Sequence, residues 1–484
     1  MFLAFGFFFA ILSVWQIKAA QTGLDVIDLR TSNPPVTIIT PSNPEAVSRP
    51  TVLIAHGFAG SSLLMRGFAL TLAHAGYTTI SWDFQGHGEN PNPLDLSIQS
   101  NALLRDAESA LDHVETVGFI NTQDIAILGH SMGSGVALSF GVTYPDTYAA
   151  IAISPVSQTV TPVLPKNLLL MAGSLESQFV SNAERLLHLA GGKGGSLPIG
   201  TARELVIIPN VEHVSILFSP QAHSTTRAWL DGTFGPQPGA ENYTDRRMLW
   251  FGVGILGSIF LATAGLSSIS PSPLISINNR PMWLKIISLL AGSLFATLIL
   301  WLVSLAGLKL NQLLGVLVGG YLLFWFGLAG VISLVLLRPR ISLPKSRELI
   351  CGLVAFAALW LGVGLLGHFV WLPWLLIPYR FWLWLPGSIL LLPWFFAVGE
   401  TMKHTRPVGR LGWWIFQTIT IVMSLYLAIQ MNPELGFLFI ILPLVPVIIG
   451  LHLLVISSRY GSWAFSISGA MFLAWLLLAV FPLQ

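Results

Sequence analysis

From Met248 to Gln484 apolar runs follow one another with only short polar interruptions, and this succession constrains the chain more than any other feature. Crossing a hydrocarbon core takes about 20 helical residues, and about eight stretches qualify. They run approximately from Met248 to Leu266, Leu284 to Leu305, Leu313 to Leu337, Leu349 to Phe369, Phe381 to Val398, Leu411 to Ile429, Phe437 to Ile456 and Trp463 to Phe481. Between Val370 and Trp384 the pattern breaks, because Pro373, Pro378 and Arg380 fit either a loop or a re-entrant piece.

Only 10% of the 484 residues are charged and 54% are hydrophobic, against roughly 25% charged in an ordinary soluble domain. The average hides a division, since Asp25 to Asp245 has soluble composition. The expected organisation is a hydrophobic anchor or signal segment over 1–20, an α/β region over 21–239 and an all-α polytopic transmembrane region over 240–484. A net charge of +2 without a basic run gives no surface for nucleic acid. The lone Cys351 excludes an internal disulfide and a cysteine-based metal site.

Short cytoplasmic loops are enriched in Lys and Arg. Arg338, Arg340, Lys345 and Arg347 mark one loop as inside, and Lys403, Arg406 and Arg410 another. Arg459 marks a third, and alternation then puts Arg280 and Lys285 inside and Lys309 outside. The soluble region falls outside the cytoplasm of a multi-pass cell-membrane protein, although Arg246 and Arg247 at its exit weigh against that orientation. The amino-terminal run "MFLAFGFFFAILSVWQIKAA" exports the soluble region in either of its two readings; without a basic leading segment, and with only a weak cleavage site, it reads as a retained anchor.

In the soluble region "LDVIDLRT" and "VTIITPS" read as an antiparallel hairpin. The apolar "VLIA" of "PTVLIAHGFAG" reads as a strand buried on both faces, as parallel sheets require. Strand-like and helix-like segments then alternate, among them "SLLMRGFALTLAHAG", "YTTISWDFQGHG", "IQSNALLRDAESALDHVET", "DIAILGHS", "MGSGVALSFGVTYP" and "SPQAHSTTRAWLDG". Alternation of this kind specifies a mostly parallel α/β sheet with crossover helices, whose function gathers at the carboxyl ends of the strands.

At one such end stands Gly129-His130-Ser131-Met132-Gly133, a G-x-S-x-G pentapeptide between an apolar strand and a helix-compatible run. The small flanking residues let a serine occupy a sharp strand-to-helix turn. Together with "HGFAG" at His56 to Gly60, "DFQGHG" at Asp83 to Gly88, and the pair "GSLE" and "VEH", this region resembles the α/β-hydrolase family over about residues 24–232. The resemblance implies Ser131 as nucleophile, His213 as general base and Glu176 as the acid that orients it, with Glu in place of the commoner Asp. It also implies an oxyanion hole made by the backbone amides of Phe58 and Met132. His56 and Gly57 then shape their loop, and His74, His113, His188 and His223 are surface or core residues.

Only twelve residues separate "AIAISP" from "LLLMAG", too few for a cap domain, so the site is either open or roofed by the membrane or an extracytoplasmic loop. The leading expectation is a membrane-embedded serine hydrolase acting on an ester, thioester or amide, with a small-molecule or lipid ester as substrate, membrane lipids around it, and no metal or organic cofactor. An acyltransferase would use the same residues. Two other classes are a transporter or assembly subunit with a regulatory hydrolase-like module, and an inactive receptor. Ionisable residues in or beside the spans are few, namely His368, His452, Glu400 and His404, and read as structural.

Overall fold

The computed structural model describes residues 1–42, 49–95, 101–115, 120–269, 280–403 and 405–484. Eight strands form one sheet: β1 (Leu24–Leu29), β2 (Val36–Pro41), β3 (Thr51–Ala55), β4 (Thr78–Trp82), β5 (Ile125–His130), β6 (Ala149–Ile153), β7 (Leu168–Gly173) and β8 (Arg203–Ile208). Their order is β1-β2-β4-β3-β5-β6-β7-β8, with β2 antiparallel to both neighbours and every other pair parallel. Strands β3 to β7 are buried at every position, as expected of a sheet covered on both faces.

The period-two alternation of a strand divides its side chains between the two faces. Val52 and Ile54 of β3 join one core and Leu53 and Ala55 the other. After α1 (Phe2–Ala19), the helix α2 (Arg66–His74) belongs to the first face. On the second face lie α3 (Ala102–Glu115), α4 (Met132–Thr143) and α5 (Ser177–Leu189), and α6 (Pro220–Phe234) packs beside α2. The start of "IQSNALLRDAESALDHVET" at 98–100 and its last residue, 116, lie outside the described residues. The sequence pattern does not reveal α5, whose apolar stripe is thin: only Ala183 and Leu186 are buried.

The second half comprises α7 (Arg247–Ser267), α8 (Met282–Leu305), α9 (Gly319–Leu337), α10 (Ser346–Leu359) with a π turn over Trp360–Leu365, α11 (Pro378–Thr401), α12 (Pro407–Met431), the broken pair α13 (Leu438–Ile441) and α14 (Val445–Val455), and α15 (Ser462–Val480). Among the described residues nine helical stretches, α1 included, are long and apolar enough to cross a membrane, which is compatible with a multi-pass protein. α1 lies along α7, where Ser13 Oγ donates to the Trp250 carbonyl at 2.8 Å. α15 runs through the middle, 78% buried over its apolar window against 17% for α1.

One boundary differs from expectation, and one alternative left open by the sequence is resolved. The third apolar run becomes a helix only at Gly319 and not at Leu313, because Leu314, Gly315 and Val318 take φ of 57°, 66° and 62° and turn the chain. The interval around Pro373 is a short loop that ends at Ile377, and α11 then starts on Pro378, whose missing N–H costs nothing at a helix's first position.

The basic loops share one face of the bundle. Arg280 Nη2 donates to the Arg338 carbonyl at 2.9 Å, Trp463 Nε1 to Ser342 at 2.7 Å, and Arg410 bonds Ser457. The α/β region sits on the opposite face, tied there by Leu483, whose amide donates to Gly86 at 2.8 Å and whose carbonyl accepts from Leu94 at 2.9 Å. Of the arginines at the exit, Arg247 is consumed by Asp245 in a buried pair, Nη2 to Oδ2 at 2.8 Å. His404 lies outside the described residues.

Candidate active site

Ser131 follows the last residue of β5 and precedes the first of α4, with φ 52° and ψ −119°. Such a backbone is strained by about 1–3 kcal/mol and persists only where its surroundings hold it. A Cβ on Gly129 would collide with the Gly133 carbonyl, and one on Gly133 with the carbonyls of Ala55 and His56, so the turn tolerates no side chain on either side. The pentapeptide's glycines thus follow from contact between β5, α4 and β3.

Glu176 lies three residues beyond the end of β7 and His213 five beyond β8, so three strand ends converge on one point. His213 Nε2 is 3.0 Å from Ser131 Oγ, and His213 Nδ1 is 2.8 Å from Glu176 Oε2. The other carboxylate oxygen, Oε1, accepts from Ser154 Oγ at 2.7 Å and from the Gly173 amide. All three residues are buried. Phe179 stacks on the His213 ring at 4.2 Å, while Glu212 accepts from the amides of Val214 and Ser215 at 3.0 and 2.7 Å and so shapes the loop that carries His213.

A Cβ on Gly57 would lie 2.8 Å from His130 Nδ1 and 3.1 Å from Ser131 Cβ, which shows how closely the loop after β3 approaches the serine. Phe58 follows Gly57 in that loop and Met132 follows the serine in the chain, and among the described residues neither amide has a hydrogen-bond partner. His56 is structural, as expected: its Nδ1 donates to the Gly57 carbonyl at 2.8 Å, and its Nε2 accepts from the Phe84 amide at 3.0 Å. Burial lowers its pKa. Asp83 joins the two loops, accepting from the amides of Ser62 at 2.7 Å and Glu89 at 2.8 Å.

His130 donates through Nε2 to the His213 carbonyl at 2.9 Å, and burial pushes its pKa well below the ordinary histidine value. His223 is buried on Phe68 and donates to the Leu217 carbonyl at 2.9 Å. His74 bonds Glu241 and the Ala20 carbonyl, His113 bonds the Ser109 carbonyl, and His188 is exposed. Among the described residues no group of three His, Cys, Asp or Glu side chains converges as a metal would require.

The roof comes from the second half of the chain. Phe437, just before α13, stacks on Phe58 with centroids 4.0 Å apart and planes at 21°. Arg380 of α11 reaches the Gly86 carbonyl of the α/β region and the Leu478 and Phe481 carbonyls at the end of α15. A cavity of about 450 Å³ extends from Phe58, His130 and His213 into the helices. Of the two alternatives the sequence leaves, an open or a covered site, the structure has the covered one. Ser154, Phe179, His130 and Phe437 are given no role by the sequence; Ser154 closes a strand-like run and His130 stands inside the G-x-S-x-G pentapeptide, whereas Phe179 and Phe437 carry no such signal.

A mostly parallel eight-stranded sheet in this order, with a strained serine at the elbow after β5, is the architecture of an α/β hydrolase. Residues 46–190 match the family described as serine aminopeptidase, S33. The chain is 28% identical over 189 residues to a monoacylglycerol lipase of Mycolicibacterium smegmatis, covering 34% of this chain and 63% of the lipase. It is 34% identical over 103 residues to an uncharacterized protein of Mycobacterium tuberculosis strain H37Rv, covering 21% of this chain and 27% of that one. It therefore spans less than two thirds of either relative. Among solved structures it is similar to a membrane phospholipase A, with 15% identity, a TM-score of 0.35, and coverage of 47% of this chain and 93% of that one. The amino-terminal region is thus an α/β-hydrolase fold joined to a carboxyl-terminal set of apolar helices.

Proposed function

We propose that the protein is a membrane-embedded serine hydrolase that cleaves an ester, thioester or amide through an acyl-enzyme, with a lipid ester the favoured substrate. The observation that carries this reading is the continuous chain of hydrogen bonds from Ser131 through His213 to Glu176 beneath an apolar roof. A free serine hydroxyl is a weak nucleophile near neutral pH and needs a base within reach. His213 Nε2 takes the Ser131 proton as Oγ attacks the carbonyl carbon, and Glu176 holds Nδ1–H and stabilises the imidazolium. The amides of Phe58 and Met132 receive the developing oxyanion. His213 then returns the proton to the leaving group, and a water activated by the same nitrogen releases the acyl group. The relative named monoacylglycerol lipase supports a lipid ester. An acyltransferase would replace the water with another nucleophile.

Residues 1–20 then serve as an anchor, 21–239 as the hydrolase domain and 240–484 as the membrane domain. The basic loops all lie on the face remote from the hydrolase region, which favours an extracytoplasmic site by the positive-inside rule. Arg247, bound to Asp245, adds no free charge against that orientation.

A fluorophosphonate probe applied to membranes carrying the full chain tests the chemistry directly. Wild type becomes labelled, and Ser131→Ala does not. An unlabelled wild type would sink the proposal.

A further inference from the structure

We infer that the cavity running from the candidate active site into the helices is an acyl-chain site, so that the membrane region takes up the tail of a single-chain, long-chain lipid ester and sets chain-length preference. This rests on the reading of Ser131 as the nucleophile and deepens it. At one end the cavity is bounded by Phe58 and His213, the candidate oxyanion loop and base. From there its wall follows one face of α15, where Phe465, Gly469, Leu473, Leu476 and Val480 recur at helical spacing and Phe481 completes the line.

The end near Phe481 touches the α/β region, because the next two residues, Pro482 and Leu483, reach Leu317 and Gly86. Phe465 lies sixteen residues earlier, and a rise of 1.5 Å per residue puts it about 24 Å deeper along the helix. One leaflet of a hydrocarbon core about 30 Å thick is about 15 Å deep, so a tail that spans a leaflet fits within the slot. Its volume of about 450 Å³ falls within the range of about 300–1,000 Å³ usual for small-ligand sites.

The lining at depth is mostly apolar and disfavours a polar occupant. Two polar side chains found there, Gln417 and His452, are already engaged: Gln417 Nε2 donates to the Trp413 carbonyl at 3.1 Å, and His452 Nε2 bonds Ser468 Oγ at 2.9 Å. Around them stand Phe395, Ile421, Phe465 and Phe472. Among the described residues the polar end of a ligand is met at the mouth, where His213 lines the cavity 3.0 Å from Ser131 Oγ. A lipid ester with its carbonyl at Ser131 and its acyl tail inside the bundle satisfies both ends.

The test uses the full chain in phosphatidylcholine nanodiscs, with p-nitrophenyl butyrate and palmitate as substrates and fluorophosphonate labelling of Ser131 in parallel. Leu473→Trp places an indole in the slot partway along it. The expected result is a fall of at least tenfold in the palmitate-to-butyrate ratio of kcat/KM, with labelling retained. Should Leu473→Trp fail to label, Ile448→Phe narrows the cavity from α14 and must produce the same shift in ratio. An unchanged ratio in a variant that still labels overturns the acyl-chain assignment while leaving Ser131 as nucleophile. A wild type that neither labels nor hydrolyses any ester overturns the catalytic reading and this inference with it.

Discussion

The two halves of the chain use small residues for opposite ends. In the α/β region Gly129 and Gly133 have no Cβ so that a strained serine can stand at the elbow, and the result is a chemical position. Among the apolar helices a Cβ on Gly330 would strike the backbone of Pro393 and Trp394, and one on Gly257 would lie 2.9 Å from the backbone of Gly6 and Ala10; the result is close approach of helices. The driving forces differ accordingly. Burial of β3 to β7 is favoured because water is expelled from apolar surface. Lipid tails are as apolar as leucine, so helices in a bilayer associate through tight packing and bonds such as Trp325 Nε1 to Thr297 Oγ1 at 2.9 Å. On the proposed function, the α/β half fixes atoms for reaction and the helical half fixes a space.

If that contrast holds, the largest losses come from changes confined to the α/β half that leave the fold intact. Glu176→Gln is expected to lower kcat by on the order of 10⁴ without altering thermal stability by a comparable amount. Oε1 would still accept from Ser154 and Gly173, which turns the new amide NH₂ toward His213 Nδ1. The imidazole would then carry its proton on Nε2 and could not accept one from Ser131. Ester hydrolysis by the full chain, set beside thermal unfolding, checks this; equal activity of Glu176→Gln and wild type would remove Glu176 from the mechanism.

A smaller effect, on stability instead of chemistry, is expected where the halves meet. Arg380 is buried and gives its guanidinium to carbonyls of both regions, Gly86 on one side and Leu478 and Phe481 on the other. Arg380→Met keeps most of the volume but leaves those carbonyls unmatched, at about 1–3 kcal/mol for each that finds no new partner. The melting temperature in nanodiscs should fall, and fluorophosphonate labelling should decline with it as the roof loosens. A variant with wild-type melting and labelling would show that the halves are held together by other contacts.

Legibility in the sequence divides along the same line. The hairpin, the buried parallel strands and the elbow are legible because short-range patterns carry them: apolar alternation, a run ending in Gly-His, a serine between glycines. Ser131, Glu176 and His213 are legible through a resemblance that fixes their order along the chain, and strand ends bring them within hydrogen-bond reach. The apolar spans are legible as lengths, but not which helix lies beside which, since uniformly apolar helices carry little directional pattern. Hydropathy extends the third span back to Leu313 because it does not register positive φ. Arg380 reads as an interruption, yet its position is set by carbonyls almost a hundred residues and nearly three hundred residues away. Phe437 gives no sign in the sequence that it packs on Phe58, nearly four hundred positions earlier, in the loop beside the serine.

That roof carries the smallest expected effect and the sharpest test of the seam. Phe58 and Phe437 stack at 4.0 Å, one ring from the loop beside Ser131 and the other from the helical half. An aromatic pair of this kind contributes about 0.5–1.5 kcal/mol beyond the area it buries. Because the proposed oxyanion donor at position 58 is its backbone amide, Phe58→Leu retains that donor and is expected to change kcat toward butyrate esters only slightly. Phe437→Leu touches no reacting group at all. In a double-mutant cycle on thermal unfolding the pair should show a coupling of about 1 kcal/mol, since each single change already removes the stack and the second has nothing further to remove. Strict additivity would mean that the rings are neighbours without interaction, and that the seam rests on other contacts, among them the Arg380 bonds and the Leu483 contacts.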